Sequence, residues 1–204
     1  MNKSEIAQFN GLGTGQISDA MELMGIRRSV IVGFTFVAAA DTLMVGTAFT
    51  VLQAPKHHPS DRSERLVRHG EVSDGLAAPG QVVVIDAGGR LDVASWGENH
   101  SIACHRRGVS GLLINGCVRD AAGIRTLGFT VFCLGFSPIK SQWDLETVAF
   151  NQPVTIGGVQ IRPDDVVVGD EDGVIVIPQE AREAVVGKAQ EIRAKELPGI
   201  PYRT

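Results

Sequence analysis

The order of apolar and polar residues along the chain predicts short strands interleaved with helices. Residues 14–25 predict the first helix, because their apolar side chains recur at helical spacing and Gly25 suits the position after the last turn. Runs of β-branched and apolar residues predict strands at 43–52, 82–86, 111–115 and 131–134. Further helices are predicted at 97–107, 120–127 and 179–196.

Glycines and prolines mark the predicted turns. Gly88 and Gly89 are expected to turn the chain into a second strand that ends near Trp96. Residues 53–61 hold two prolines and two histidines and predict a loop, and residues 60–69 predict a short polar helix. Short β-runs near the end of the chain predict antiparallel hairpins.

Length, charge and cysteine content narrow the class of protein. The chain has 204 residues, so we expect a single α/β domain over residues 1–204. Its formal charge of −4 argues against a nucleic-acid partner. No stretch approaches the about 20 apolar residues that span a bilayer, and residues 1–10 lack an apolar signal core, so we expect no membrane association and a cytoplasmic location. The three cysteines are expected to be buried free thiols.

Three segments resemble ligand-binding motifs only in part. The glycines of residues 11–15 lack the full spacing of a phosphate loop, so a flexible entry to the first helix is expected. His57 and His58 lack the spacing of a zinc site, so we expect a surface loop, with substrate contact as the alternative. Residues 170–173 predict an acidic hairpin turn rather than a calcium loop.

The segment from 96 to 135 carries the candidate chemistry. Glu98 lies at a predicted helix start, and Arg119 and Asp120 lie where a predicted strand meets a helix. Each also has a structural interpretation: Glu98 can favour the positive end of a helix, Asp120 can cap one, and Arg119 can be a surface residue.

Taken together, these residues predict an anion site with a metal ligand. Ligands commonly bind at the carboxyl ends of strands in α/β sheets, and a helix N-terminus offers free N–H groups to an anion. Arg119 adds a guanidinium suited to a carboxylate or enolate oxygen, and Asp120 adds one hard oxygen ligand suited to Mg²⁺. Such a site fits a 2-oxo acid.

Three motifs resemble the RraA-like family: WGEN at 96–99, GLLINGCVRD at 111–120 and GFTVF at 128–132. That family includes class II pyruvate aldolases acting on 4-hydroxy-4-methyl-2-oxoglutarate and 4-carboxy-4-hydroxy-2-oxoadipate, and the regulator of ribonuclease activity A. The resemblance implies a three-layer αββα sandwich. It also implies a homotrimer or homohexamer with the site between subunits.

The resemblance also implies roles for single residues. Asp120 would hold Mg²⁺ (or Mn²⁺), and Arg119 would bind the keto or enolate oxygen of pyruvate. The carboxylate of pyruvate would accept hydrogen bonds from the backbone amides of Gly97, Glu98, Asn99 and His100.

Other implied roles involve side chains outside that strand–helix junction. Glu98 stands where characterised aldolases carry aspartate, as the acid that holds a catalytic water. Glu196 from the next subunit's C-terminal helix would complete the water site, with Glu191 as second candidate. Lys140 can face the site or be a solvated loop residue.

Three functions therefore compete. The first is a metal-dependent aldolase that cleaves 4-hydroxy-2-oxo acids to pyruvate and decarboxylates oxaloacetate through the same enolate. The second is a non-catalytic regulator that binds ribonuclease E or its helicase partners; Glu98 and the long terminal helix favour the first. The third is a relative acting on a different hydroxy acid, because residues 55–61 depart from the family's glycine-aspartate-asparagine pattern.

Overall fold

The computed structural model describes residues 1–38, 42–56 and 66–196. Its α-helices are α1 (Lys3–Ala7), α2 (Thr14–Leu23), α3 (His69–Glu71), α4 (Glu98–Arg106), α5 (Ala121–Leu127) and α6 (Arg182–Glu196). A π-helical turn covers Val72–Leu76, and 3₁₀ turns cover Ser141–Trp143 and Gln179–Ala181. The strands are β1 (Val30–Ile31), β2 (Thr35–Val37), β3 (Met44–Pro55), β4 (Gln81–Trp96), β5 (Gly111–Val118), β6 (Val131–Phe136), β7 (Leu145–Phe150), β8 (Val154–Ile156), β9 (Val159–Ile161), β10 (Val166–Asp170) and β11 (Gly173–Ile177).

Nine strands form one mixed sheet. Its order is β1-β11-β10-β3-β4-β5-β6-β2, and β7 also pairs with β3. Strands β3, β4, β5 and β6 are parallel, and the remaining pairs of this sheet are antiparallel. Strands β8 and β9 form a separate hairpin. The parallel strands are apolar on both faces, as expected of strands covered on both sides.

The sheet folds back on itself, so that its two halves face each other. Gly169 of β10 lies against the ring of Phe132 on β6, although three strands separate β10 from β6 in the sheet order. A Cβ at Gly169 would stand 2.6 Å from that ring, which explains the need for glycine there. Val82 and Val84 of β4 belong to the apolar interior between the halves.

Helices cover the outer faces of both halves. Val83 and Ile85, which alternate with the interior residues of β4, pack in a cluster that includes residues of α4 and α5. On the other half, Val166 and Val168 of β10 pack in a cluster that includes residues of α2 and α6. The predicted α/β class and αββα order are confirmed, and with the two half-sheets counted separately the sandwich has four layers.

Two predicted boundaries before the site differ from the structure. The loop prediction for 53–61 is wrong at residues 53–55, which extend β3 because β7 supplies a pairing partner. His57, His58 and the remaining residues of that predicted loop up to 61 lie outside the described residues, whereas Lys56 is described. The helix predicted at 60–69 is outside them up to residue 65, and His69 begins a short helix rather than ending one.

The prediction of a new strand after Gly88 and Gly89 is also wrong. Both glycines have positive φ, yet β4 continues through them as one strand beside β5. The register shifts there, so that residues 86–96 pair with only residues 115–118 of β5. The strand therefore bulges between residues 86 and 96 where a hairpin turn was predicted, and it pairs with β5 again at Trp96.

Two smaller predictions are confirmed, the buried free cysteines and the turn at residues 170–173. The three cysteines are buried and free, and burial raises the pKa of the Cys104 and Cys133 thiols to about 12. Residues 170–173 form the tight connection between β10 and β11. Asp170 of that turn accepts hydrogen bonds from the backbone and the hydroxyl of Thr14, both 2.7 Å long, where α2 begins. None of the helices in the described ranges has the length and apolar character that a bilayer span needs.

Candidate active site

A cavity of about 370 Å³ opens at the carboxyl ends of β4 and β5. Residues from four chain segments meet there: the segment that precedes β4 and the segments at the ends of β4, β5 and β6. The lining residues are Val67, His69, Gly70, Ala94, Trp96, Gly97, Asn99, His100, Arg119, Asp120, Lys140, Ser141 and Gln142. The structure thus brings together five of the predicted site residues at the expected edge of the sheet.

Arg119 and Asp120 are fixed where β5 ends. The Arg119 amide donates a 3.0 Å hydrogen bond to the Trp96 carbonyl, which ties the junction to the end of β4. Asp120 has φ 60° and ψ 35°, a left-handed conformation that is uncommon for residues other than glycine. Its side chain makes no capping hydrogen bond to α5. Asp120 therefore occupies the N-cap position of α5, as the structural interpretation expects, but its carboxylate does not cap the helix.

The carboxylate of Asp120 is available to a ligand. Its Oδ2 lies 3.4 Å from Nε of Arg119, and the two side chains remain 45% and 33% exposed. An acid and a guanidinium thus lie side by side on the cavity wall, with free surface on each. The backbone strain at Asp120 is typical of functional sites.

Gly97 makes room for this pair. Its backbone is extended, so its φ requires no glycine, yet a Cβ would stand 2.9 Å from Oδ2 of Asp120 and 3.1 Å from Cγ of Arg119. Any larger residue would push the two functional side chains aside. The glycine therefore serves close approach rather than chain flexibility.

The N-terminus of α4 also faces the cavity. The first intrahelical bond runs from the Ser101 amide to the Gly97 carbonyl, at 3.2 Å. The amides of Glu98, Asn99 and His100 precede it and have no carbonyl partner within the helix. Ser101 anchors this turn, since its hydroxyl accepts from Nε1 of buried Trp96 at 3.0 Å and donates to the Gly97 carbonyl at 3.1 Å.

Glu98 itself does not line the cavity. Its carboxyl group lies against Gly123 in the first turn of α5, where a Cβ would overlap it. A carboxylate beside the positive end of a helix is the structural interpretation that the sequence left open. The structure is thus compatible with that interpretation and does not test the catalytic one.

Two histidines lie on another wall of the cavity. The His69 and His100 ring centroids are 4.6 Å apart, with perpendicular rings, and the Trp96 ring lies 5.2 Å from that of His100. Burial, reinforced by His100, lowers the pKa of His69 to about 3. Burial also lowers the pKa of His100, and nearby Arg119 acts in the same direction while Asp74 opposes it. Both imidazoles are neutral at pH 7.

Lys140 reaches the cavity from the segment after β6. It forms an isolated parallel bridge with Ala94, and the Ala94 amide donates to the Ile139 carbonyl at 2.7 Å. Lys140 is exposed and lines the cavity, so both of its interpretations, a residue that faces the site and a solvated loop residue, stay open.

The two acids proposed on the terminal helix lie elsewhere in the same chain. Glu196 accepts a 2.9 Å hydrogen bond from Gln16 of α2, and Glu191 pairs with Lys188 at 2.9 Å. Neither lines the cavity. Any contribution from them would have to come from another copy of the chain.

Similarity to known proteins places this site in a family. Residues 14–176 match the family described as Aldolase/RraA. The chain belongs to the RraA-like family. The match includes the ends of β4 and β5 and the start of α4, and so covers the Arg119–Asp120 junction.

Two relatives of the RraA-like chain have names that refer to an enzyme activity. It is 42% identical over 168 residues to a Deinococcus radiodurans protein named "Putative 4-hydroxy-4-methyl-2-oxoglutarate aldolase", covering 82% of this chain and 96% of that one. A protein of the same name from Halalkalibacterium halodurans is 38% identical, with 94% and 84% covered. The chain also matches DlpA of Legionella pneumophila at 26% identity but spans only 30% of that protein's length.

Solved structures share the fold of this RraA-like chain. RraAS2 of Streptomyces coelicolor, described as an unusual member of the RNase ES inhibitor RraA family, has a TM-score of 0.83 and 28% identity, covering 98% of this chain and 96% of that one. An uncharacterized protein from Pseudomonas syringae has a TM-score of 0.82 and 25% identity, with 97% and 90% covered.

Sequence reasoning missed His69 as a lining residue. It precedes the turn of residues 72–76, which the guanidinium of Arg107 holds through the carbonyls of Ser73, Gly75 and Ala77. That anchor spans about thirty residues of sequence, so local pattern gives no sign of it. The sequence feature that came nearest to indicating this wall of the cavity was Trp96, which lies at the end of a predicted strand.

Proposed function

We propose that the protein is a divalent-metal-dependent pyruvate aldolase that cleaves 4-hydroxy-2-oxo acids, of the 4-hydroxy-4-methyl-2-oxoglutarate type, and decarboxylates oxaloacetate. One observation carries the proposal. The Asp120 carboxylate, the Arg119 guanidinium and the free amides at the start of α4 line one cavity. These are the groups that a 2-oxo acid, with its adjacent carboxylate and keto oxygens, requires.

The residues present fit Mg²⁺ or Mn²⁺ with a single protein ligand. Asp120 offers a partly exposed carboxylate, and Gly97 leaves the space beside it open. Within the described residues no group of three His, Cys, Asp or Glu side chains forms a fuller ligand set. Mg²⁺ commonly keeps several waters and takes further oxygens from its substrate, so one carboxylate suffices. When bound, the metal would act as a Lewis acid toward the keto oxygen.

Arg119 and α4 position the substrate. The amides of residues 98–100 bind its carboxylate at the positive end of the helix. The Arg119 guanidinium donates hydrogen bonds to the keto oxygen, which gains negative charge as the carbon–carbon bond breaks and an enolate forms. The backbone hydrogen bond to Trp96 holds the main chain of Arg119 at the cavity, and its guanidinium lies beside the Asp120 carboxylate.

Proton transfer requires an acid and base near the distal hydroxyl group. We assign it to a water held by Glu98 together with Glu196, or Glu191, of a neighbouring subunit. That water removes the hydroxyl proton during cleavage and returns a proton to carbon 3 of the enolate. Oxaloacetate passes through the same enolate after losing carbon dioxide, so decarboxylation is expected as a second activity.

The surface beside the cavity supports assembly into a homotrimer or hexamer. Phe136, Ile139 and Trp143, on the segment that carries Lys140 to the cavity, are 47%, 57% and 45% exposed. Leu91 of the β4 bulge is 62% exposed. Apolar surface of this kind is typical of a subunit interface. Light scattering of the purified protein tests the assembly.

Pyruvate release from a 4-hydroxy-2-oxo acid, with and without Mg²⁺, tests the activity. Arg119→Ala is expected to lower kcat by about 1,000-fold, because it removes the donor to the developing enolate oxygen. Arg125→Ala, on the neighbouring helix α5 and outside the cavity lining, is the matched control. Activity of Arg119→Ala within about threefold of wild type would overturn the assignment.

Structural similarity to RraAS2 supports a second candidate, a non-catalytic regulator of a ribonuclease E-type enzyme. The alternatives differ in what they need from the cavity. A regulator requires no metal and no 2-oxo acid, so metal-independent inactivity across a panel of oxo acids, together with inhibition of ribonuclease E, would favour it.

A further inference from the structure

The His69–His100 pair lies beside the proposed pyruvate site. Both imidazoles line the same cavity as Arg119 and Asp120, and the charge of Arg119 influences the pKa of His100. The perpendicular rings, 4.6 Å apart at their centroids, both contact Trp96. A substrate that extends beyond its 2-oxo acid group can therefore meet two ring nitrogens.

The hydrogen bonds of Ser73 fix the proton on His100. Its hydroxyl oxygen lies 2.9 Å from the Gly70 carbonyl and 2.9 Å from Nδ1 of His100. A carbonyl only accepts, so the single hydroxyl proton of Ser73 goes to Gly70. Ser73 then accepts from an N–H at Nδ1 of His100. Because burial keeps this ring neutral, its Nε2 carries a lone pair and is an acceptor.

His69 is constrained in the opposite way. Its Nδ1 is enclosed and has no hydrogen-bond partner among the described residues. A proton there would be a buried donor without an acceptor, which is costly and rare. Since the ring is neutral, we place its proton on Nε2. The ring lines the cavity, so Nε2–H is the donor that a ligand can use.

The pair thus presents one acceptor and one donor. A hydroxyl group both donates and accepts, whereas a carboxylate only accepts. We propose that the His69–His100 pair binds the hydroxyl group of the hydroxy-2-oxo acid, with His69 donating from Nε2 to the hydroxyl oxygen and His100 accepting the hydroxyl proton in a hydrogen bond at Nε2. This inference rests on the proposed aldolase function and names the substrate group that the pair recognises.

The contact has a role in bond cleavage. In the bound substrate the hydroxyl proton points to Nε2 of His100. During cleavage it turns to the proposed water, which removes it, the carbon–oxygen double bond forms, and the electron pair of the carbon 3–carbon 4 bond passes into the enolate. Negative charge collects on the former hydroxyl oxygen during proton loss, and the His69 N–H stabilises it there. Oxaloacetate has no such hydroxyl group, so its decarboxylation does not use this donor.

The ratio of the two activities tests the proposal. His69→Leu is expected to lower kcat/KM for a 4-hydroxy-2-oxo acid by about 10- to 100-fold, because a hydrogen bond to a charged oxygen is lost. Oxaloacetate decarboxylation should change by less than about threefold. His69→Gln places an amide N–H near the position of Nε2 and should restore most of the lost cleavage activity.

His105→Gln is the matched control. His105 lies on α4 like His100, but it is exposed and packs edge-on against Phe129, outside the cavity lining. This variant should leave both activities unchanged. An equal loss of both activities in His69→Leu, or no loss in either, would overturn the inference while leaving the aldolase function intact. A wild-type protein inactive on both substrates would overturn the aldolase proposal, and this inference with it.

A second measurement is independent of the variants. Nitrogen-15 NMR of labelled histidines in the full-length protein distinguishes the two neutral tautomers. We expect His100 protonated at Nδ1 and His69 at Nε2 at pH 7. Assignment of a lone pair to both Nε2 atoms would leave no donor for the hydroxyl oxygen and would contradict the proposal.

Discussion

The hydrogen bonding of polar groups differs between the two helix-covered sides of the sandwich. On the side of α2 and α6, buried polar groups have partners: Asp165, 3% exposed, accepts from the backbone amides of Arg162 and Gln179 at 2.8 and 3.1 Å. On the side of α4 and α5, the Asp120 carboxylate makes no capping bond to α5, and Nδ1 of His69 has no partner within the described residues. The hydrogen bonds of Asp165 stabilise the fold, whereas the carboxylate of Asp120 is left free for a ligand.

The sharpest test compares the two aspartates. Asp120→Asn is expected to lower kcat for pyruvate release by about 1,000-fold, because a neutral amide is a far weaker ligand for Mg²⁺ than a carboxylate. Its melting temperature should not fall, since the carboxylate makes no capping bond. Steady-state assays over a Mg²⁺ titration measure the effect. Full activity at saturating Mg²⁺ would remove Asp120 from the site.

Asp165→Ala should show the reverse pattern. The substitution leaves two backbone amides and part of the Arg162 guanidinium without an acceptor, so unfolding free energy should fall by about 2–3 kcal/mol. Urea denaturation measures this loss, and kcat per folded molecule should stay within about twofold of wild type. A large fall in kcat without loss of stability would contradict the division between the two sides.

A smaller effect is expected from pH. The pKa of His69 falls from 6.5 unfolded to about 3 folded, so the native state binds fewer protons than the unfolded state between these values. The contribution of neutral His69 to the free energy of unfolding is complete above pH 6.5 and is lost as the pH falls. At pH 5 this amounts to about 2 kcal/mol of unfolding free energy relative to pH 7.5.

His69→Gln tests this dependence, because glutamine does not titrate. The groups facing the ring are His100 and, through His100, Arg119 and Asp74. His100 shifts in the same direction, so the variant should retain part of the slope. Denaturation at pH 5 and pH 7.5 should show a smaller difference for the variant than for wild type. Equal slopes would mean that His69 is already charged or exposed in the native protein.

The sequence predicted the parts of the fold that depend on local pattern. The parallel strands, α4 and the Arg119–Asp120 junction follow from apolar runs and from one strand–helix boundary. Gly88 and Gly89 misled the prediction, because a bulged strand and a hairpin turn use the same left-handed glycines. The extension of β3 to Pro55 depends on β7, almost a hundred residues later, and no local signal encodes that pairing.

The candidate site was predictable where its residues are neighbours in sequence. Arg119, Asp120 and the start of α4 are joined by one strand–helix crossover, so topology alone brings them together. His69 was not predictable, because Arg107 holds its segment through tertiary hydrogen bonds. The position of Glu98 against Gly123 likewise follows from helix packing rather than from the spacing of the two residues.

The pairing of strands that are distant in sequence has a consequence for how the chain reaches its native state. Val30 of β1 pairs with Ile175 of β11, and Met44 of β3 pairs with Gly169 of β10. Strands that are synthesised early therefore pair with strands that are synthesised late. Pairings over such sequence separations slow folding, because the entropy of closing a long loop is lost before the new contacts compensate for it. The sheet can therefore be completed only after β10 and β11 have been synthesised, and the edge of β3 that pairs with β10 stays unpaired until then.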